Sequence, residues 1–163
     1  MVIVVMGVAG AGKTTVGRRL ADVMRCRFAD ADDFHAPANV EKMRRGVALD
    51  DEDRAPWLAA LAGAIDEWLR ADACVVLACS ALKAKYRAAL RRDPARVQFV
   101  YLKVPPEIAH ARVANRPGHF MKENLVEQQF DALEEPSRAL VVDASQPPDD
   151  IVRRLLRELP ADR

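Results

Sequence analysis

Cysteine is scarce in this chain: Cys26, Cys74 and Cys79 are the three in 163 residues. They show no paired metal-ligand spacing, and three cannot build a disulfide framework. They are expected to be small buried hydrophobes in a reducing compartment, unbridged and free of metal. Net charge is scant too. Lys and Arg number 25 against 24 Asp and Glu, so no broad positive field exists to gather nucleic acid. Long apolar runs are missing. The opening run Met1–Met6 is far too short to span a bilayer, carries no basic leader and runs straight into glycines. A soluble, cytoplasmic protein with no membrane or nucleic-acid partner is expected. Internal repeats, low-complexity tracts and linkers are absent, so residues 1–163 are expected to form a single domain.

What is present is β–α alternation. Short, apolar, β-branched runs at Val2–Met6, Val75–Cys79, Val97–Leu102 and Leu140–Val142 suit parallel strands covered on both faces. A further short strand is expected at Arg27–Ala29. Helical patterns fill the gaps at Lys13–Met24, Asp51–Arg70, Lys83–Arg91, Pro106–Asn115, Glu123–Leu133 and Pro148–Leu159. Pro106 and Pro148 stand where helix starts accept them. In Asp51–Arg70, Trp57, Leu61, Ile65 and Trp68 recur at helical spacing, so both tryptophans are read as packing residues. The pattern predicts a doubly wound α/β fold, three layers α/β/α around a parallel sheet of about five strands.

Between the first strand and the first helix lies Gly7-Val-Ala-Gly-Ala-Gly-Lys-Thr14. It fits G-x-x-x-x-G-K-[ST] in full and in the right context. Gly7, Gly10 and Gly12 let the backbone wrap a phosphate and point N–H groups inward, and the positive end of the following helix adds to that field. Lys13 would neutralise β- and γ-phosphate charge, Thr14 would ligate Mg²⁺, and Thr15 extends the nucleotide site. A glycine turn that binds nothing is the plain alternative, and the flanking strand and helix weigh against it.

The loop implies nucleotide binding and leaves the reaction open. The N/T-K-x-D segment of a guanine-nucleotide switch is missing. The strand Val75–Cys79 runs into Ser80, where many ATPases carry a metal-holding Asp. Another acidic group must help with the metal. Asp30-Ala-Asp32-Asp33, just after the short strand, offers one. Asp30 could hold water on Mg²⁺, and Asp32 could accept the proton, or only the hydrogen bond, of an attacking hydroxyl. A solvated acidic turn is the bland reading of such a cluster, and the phosphate loop favours the functional one.

Further blocks follow in order: His35, Asn39-Val-Glu-Lys-Met43, Gly46 to Leu58 with Arg54-Ala-Pro-Trp57, Cys79-Ser-Ala-Leu-Lys83, Tyr86-Arg87, Arg116-Pro-Gly-His-Phe120, Gln129-Phe130, Leu133-Glu-Glu-Pro136, Val142-Asp143 and Gln146-Pro147. From residue 7 to about residue 147 the series resembles the gluconate kinases. The resemblance implies a P-loop kinase fold with a mobile lid over about 112–133. It implies transfer from ATP, with Mg²⁺, to the 6-hydroxyl of D-gluconate, giving 6-phosphogluconate and ADP. A homodimer is implied as well.

Gluconate is a polyol with a carboxylate. Under the resemblance Arg54, Lys83 and Arg87 become donors to its anionic end. Asp32, His35, His119 and Gln129 become partners for its hydroxyls. Arg112 and Arg116 become lid cations that close over the phosphates, with Lys13, Asp32 and Arg116 carrying catalysis. Gln146 and Pro147 fall in a loop beside the adenine. The plainer readings are a surface ion pair for Arg54 and ordinary polar or capping roles for His35 and His119. Three positions depart from the family pattern: Ala36-Pro37 shifts a proline by one, and Ala48 and Lys122 replace frequent prolines. They bear on loop geometry rather than on any reacting group.

Overall fold

The computed structural model describes residues 1–117 and 123–160. Five strands, β1 (Val2–Met6), β2 (Arg27–Asp30), β3 (Val75–Ala78), β4 (Val97–Lys103) and β5 (Leu140–Asp143), form one sheet. Its order is β2-β3-β1-β4-β5, and every neighbouring pair is parallel. The helices are α1 (Lys13–Met24), α2 (Pro37–Arg44), α3 (Asp51–Arg70), α4 (Ala84–Leu90), α5 (Pro106–Ala114), α6 (Glu123–Ala132) and α7 (Pro148–Glu158).

Strand alternation assigns residues to the two faces. Ile3 and Val5 pack with Val16, Leu20 and Leu155, under α1 and α7. Val2, Val4 and Met6 pack with Leu61, Ile65 and Trp68 of α3. Both faces of β1 are therefore covered, which is why it reads as an unbroken apolar run. Each such fully buried aliphatic side chain contributes about 1.5–3 kcal/mol. Trp57 and Trp68 are core residues, as their spacing suggests.

The order also positions the site. The chain leaves β1 toward β2 and β3 on one side and reaches β4 and β5 on the other. A crevice opens beyond the carboxyl ends of the strands, where open α/β sheets bind ligands. The Gly7 N–H donates to the Ser80 carbonyl at 3.3 Å, which joins the loops after β1 and β3 across that crevice.

The three-layer fold and the five strands agree with the sequence reading, with ends shifted by one residue at most. Two elements were not anticipated: α2, and a 3-10 turn at Ala31–Phe34. The reading of the cysteines needs correction. Cys26 and Cys74 form a disulfide. β2 and β3 pair with Arg27 opposite Val75, so the residue just before each strand meets its counterpart. These two cysteines therefore lend no support to a reducing compartment. Cys79 is the buried free thiol that was expected. No helix among the described residues is long and apolar enough to cross a membrane.

Candidate active site

The phosphate loop follows β1 because glycine alone suits two of its turns. Gly10 has φ +81°, and a Cβ there would lie 2.5 Å from the Ala109 carbonyl of α5. Gly12 has φ +93° with open space beside it, so there the backbone conformation and room for a ligand decide. Gly12 is the N-cap of α1 and no side chain caps it. The first N–H groups of α1 are left to face an anion.

Beside this loop lies a cavity of about 660 Å³, lined by Gly10, Gly12 and Thr15, by Arg112 and Arg116 at the end of α5, and by Gln146. It is large enough for a nucleoside. Pro147 is the N-cap of α7, one residue before Pro148, which lines the cavity. Arg112 bridges the walls, donating to the Gly10 carbonyl at 3.2 Å and the Ala144 carbonyl at 2.8 Å.

A smaller cavity of about 70 Å³ continues past Gly12. Lys13, Thr14, Asp30, Asp32, Arg116 and Gln129 line it. Lys13 Nζ donates to the Val8 carbonyl at 2.9 Å. Burial lowers the Lys13 pKa, while Asp32, Cys79 and Asp30 push it the other way. Asp30 closes β2 and caps the 3-10 turn, its Oδ1 accepting the Asp32 N–H at 2.9 Å. Burial raises the Asp30 pKa, and the Asp32 N–H opposes this. Cys79 also lines the cavity, with its thiol pushed up to about 12 by burial, so it stays protonated and unreactive. Thr14 and Asp30, both lining this phosphate-sized space, offer hard oxygen ligands. That suits Mg²⁺, which takes one or two protein oxygens and draws the rest from phosphates and water. Among the described residues no His/Cys/Asp/Glu cluster forms a self-sufficient metal cage.

The 3-10 turn that carries Asp32 is fixed from α3, since Trp57 Nε1 donates to the Ala31 carbonyl at 2.7 Å. His35 stacks on Trp57 with centroids 4.5 Å apart and planes 7° from parallel. Burial, then the nearby Arg54 charge, lowers its pKa to about 4. The imidazole is neutral at pH 7, and among the described residues its buried Nδ1 has no hydrogen-bond partner. α2 is tied to the start of α3 by Asn39 Nδ2 on the Asp53 carbonyl at 2.9 Å and by Lys42 on the Asp53 carboxylate at 2.8 Å.

On the far side of the phosphate cavity lie two further hollows. One, of about 180 Å³, is lined by Ala48, Arg54, Lys83 and Gln129. The other, of about 30 Å³, adds Ser80 and Tyr86. Gln129 lines both of these and the phosphate cavity. Its Oε1 accepts the Ala9 N–H at 2.7 Å.

The fold therefore brings Lys13, Thr14, Asp30, Asp32, Arg116 and Gln129 to one place, with Arg54 and Lys83 beside them. Gly7 stands apart, its N–H used by Ser80. His119 and Lys122 lie outside the described residues. Arg87, expected as a substrate donor, is engaged with backbone carbonyls in the structure. It is 7% exposed. Its guanidinium donates to the carbonyls of Ala81 at 2.8 Å, Leu82 at 2.9 Å and Glu134 at 2.8 Å. It lines none of the hollows, and it holds the turn that presents Lys83. The sequence reading gave no role to Tyr86, Asp51 or Ser80. All three stand inside matched blocks, which was the signal they shared.

Comparison with known proteins agrees with this geometry. Residues 9–160 match the family model described as Shikimate kinase. A gluconokinase of Arabidopsis thaliana is 44% identical over 146 residues, covering 82% of this chain and 77% of its own. That of Gluconobacter oxydans (strain 621H) is 40% identical over 163 residues, covering 98% and 92%. The crystal structure of a gluconokinase from Sinorhizobium meliloti 1021 superposes with a TM-score of 0.84 at 42% identity, covering 95% of this chain and 89% of that one. At such identities over most of both lengths, and with the Shikimate kinase model spanning nearly all its residues, the chain belongs to the gluconokinase family of P-loop kinases.

Proposed function

We propose that the chain transfers the γ-phosphoryl group of ATP to the 6-hydroxyl of D-gluconate. One observation carries the reading: a phosphate cavity with Lys13 and Asp32 adjoins acceptor hollows with Arg54 and Lys83, and Gln129 and Ser80 line both sides. Donor phosphate and acceptor hydroxyl can thus meet at one junction.

The chemistry needs positioning and charge neutralisation. The loop N–H groups and Lys13 hold the β- and γ-phosphates. Thr14 and Asp30, which line the phosphate cavity, would hold Mg²⁺, which when bound would supply positive charge to offset that of the phosphates. Asp32 accepts the hydrogen bond of the 6-hydroxyl and takes its proton as the new O–P bond forms. The bond from γ-phosphorus to the β–γ bridging oxygen breaks, and ADP departs. Arg116, which lines both the nucleotide and phosphate cavities, stabilises the transferring group. Arg112 braces the nucleotide cavity, Gln146 and Pro147 border the base, and His35 and Gln129 serve acceptor hydroxyls. Residues 112–133 act as a lid that excludes water, within a single domain that works as a cytoplasmic homodimer. The lid and the dimer rest on the resemblance.

A second acceptor class comes from the Shikimate kinase family model, since a cyclic hydroxy acid also joins a carboxylate to a reactive hydroxyl. A coupled ADP-release assay with gluconate, shikimate and an uncharged hexitol separates the readings. Turnover with gluconate alone is expected. Turnover with shikimate in its place overturns the proposal.

A further inference from the structure

We infer that Tyr86, fixed by Asp51, is a positioning residue that turns Arg54 and Lys83 into a carboxylate clamp and so selects an acidic acceptor over a neutral polyol. The inference rests on the proposed acceptor site and deepens it.

Tyr86 is 5% exposed, on the first turn of α4. Its hydroxyl donates to Asp51 Oδ1 and accepts from Arg54 Nη1 at 3.3 Å. A tyrosine hydroxyl has one proton and two lone pairs. With the proton committed to Asp51, only lone pairs face Arg54, so the guanidinium has a fixed acceptor. Burial, then the bond to Asp51, raises the Tyr86 pKa, which keeps that proton in place. Bonds from Lys85 and Tyr86 hold the Asp51 carboxyl well below the usual carboxylate range, so it stays ionised.

Asp51 is itself fixed. It opens α3 directly after Asp50, whose carboxylate and that of Asp53 form a reciprocal capping box. Three cations surround the Tyr86 ring: Arg54 at 5.6 Å, Lys83 at 5.8 Å and Lys85 at 5.7 Å from its centroid. All lie within cation–π range.

Charge is shared unequally among them. Lys85 bonds directly to Asp51 Oδ2. Lys83 stands off at 3.6 Å from Oδ1. Among the described residues Arg54 has no carboxylate partner, and the neutral phenol orients it without cancelling its charge. Arg54 and Lys83 are also the two that line the acceptor hollows, while Lys85 lines neither. The cluster therefore neutralises the outer cation and leaves the inner two to face the cavity. A fork of N–H donors beside an ammonium suits a carboxylate. A neutral polyol would leave the Arg54 charge without a carboxylate partner and Lys83 with only its longer contact to Asp51.

The experiment uses the full-length chain and two variants, Tyr86→Phe and Asp51→Asn. Phenylalanine keeps the ring and removes only the hydroxyl. Steady-state kinetics are measured with the preferred hydroxy acid and with an uncharged hexitol, alongside ATP KM and thermal midpoint. Wild type is expected to prefer the acid. Tyr86→Phe is expected to raise the KM for the acid about tenfold, as loss of a bond that orients a charged donor should. Its kcat should stay within about twofold and its ATP KM should not move, the pattern of weakened ground-state binding. Its preference for acid over hexitol should fall by the same factor, with Asp51→Asn shifting the same way. Wild type that shows no preference for an acid overturns the clamp. An acid preference for something other than gluconate overturns the gluconate reading alone, and Tyr86→Phe is then read on that acid. Unchanged acid KM in Tyr86→Phe, or equal losses on acid and hexitol with a lowered midpoint, overturns the positioning role.

Discussion

Gln129 Oε1 accepts the backbone N–H of Ala9 at 2.7 Å, across 120 positions of sequence. The bond joins α6 to the phosphate loop, and among the described residues the remaining amide NH₂ group has no hydrogen-bond partner, which leaves it to serve the acceptor side. Gln129→Ala is expected to lower kcat/KM for both substrates by roughly 5- to 150-fold, the equivalent of about 1–3 kcal/mol for removing one polar partner from a buried site. The thermal midpoint should stay near that of wild type. A loss confined to one substrate would show that the residue does not couple the two sides.

Asp32 lines the phosphate cavity beside Lys13. Asp32→Ala should lower kcat by about 10²–10⁴-fold, the range of a general base, while nucleotide affinity by calorimetry stays close to normal. Asp32→Asn separates two roles. Substantial retained turnover means that the side chain orients the hydroxyl, and loss equal to alanine means that it takes the proton. Near-normal turnover in Asp32→Ala would sink the assignment.

The core and the phosphate loop were readable because both are local in sequence. β1 is five consecutive buried residues, and Gly7–Thr14 is one contiguous pattern. α2 was not readable. Met43 is its one buried residue, so no apolar stripe marks it, and it is held by Asn39 and Lys42 on Asp53 instead. The Cys26–Cys74 bond depends on the β2–β3 register, which spacing does not reveal. Arg87 shows a third limit. Its side chain suits a carboxylate or backbone carbonyls equally, and only packing assigns it to Ala81, Leu82 and Glu134.

That assignment predicts a stability effect. Arg87→Met should keep much of the packing and leave three carbonyls without their donor. Buried unsatisfied groups cost about 1–3 kcal/mol each, and partial solvent access at Glu134 reduces the total. Urea unfolding is expected to show a loss of about 2–4 kcal/mol. The acceptor KM of the folded fraction should change little. A large KM rise with unchanged stability would return Arg87 to the substrate.

His35 gives a pH signature. Its folded pKa of about 4 lies below the ordinary 6.5. Between those values the unfolded chain binds the proton and the folded chain does not. The stability from His35 is thus present above pH 6.5 and is lost as pH falls toward 4. Unfolding free energies at intervals across that window should fall more steeply for wild type than for His35→Gln, which cannot titrate. Parallel curves would show that the stacked imidazole is not held neutral.

The Cys26–Cys74 disulfide joins residues 48 apart at the amino-terminal edge of β2 and β3, opposite the strand ends that bear the site. Constraint of the unfolded chain by a loop of that size corresponds to about 4 kcal/mol in the chain-entropy model, with engineered cases often lower. Cys26→Ser, or wild type treated with reductant, should unfold at lower urea concentration. Both should retain wild-type kcat and KM at 25 °C, because β2 stays paired to β3 through its backbone. Loss of activity before any loss of secondary structure would mean that the staple also sets the position of Asp30 and Asp32 at the far end of β2.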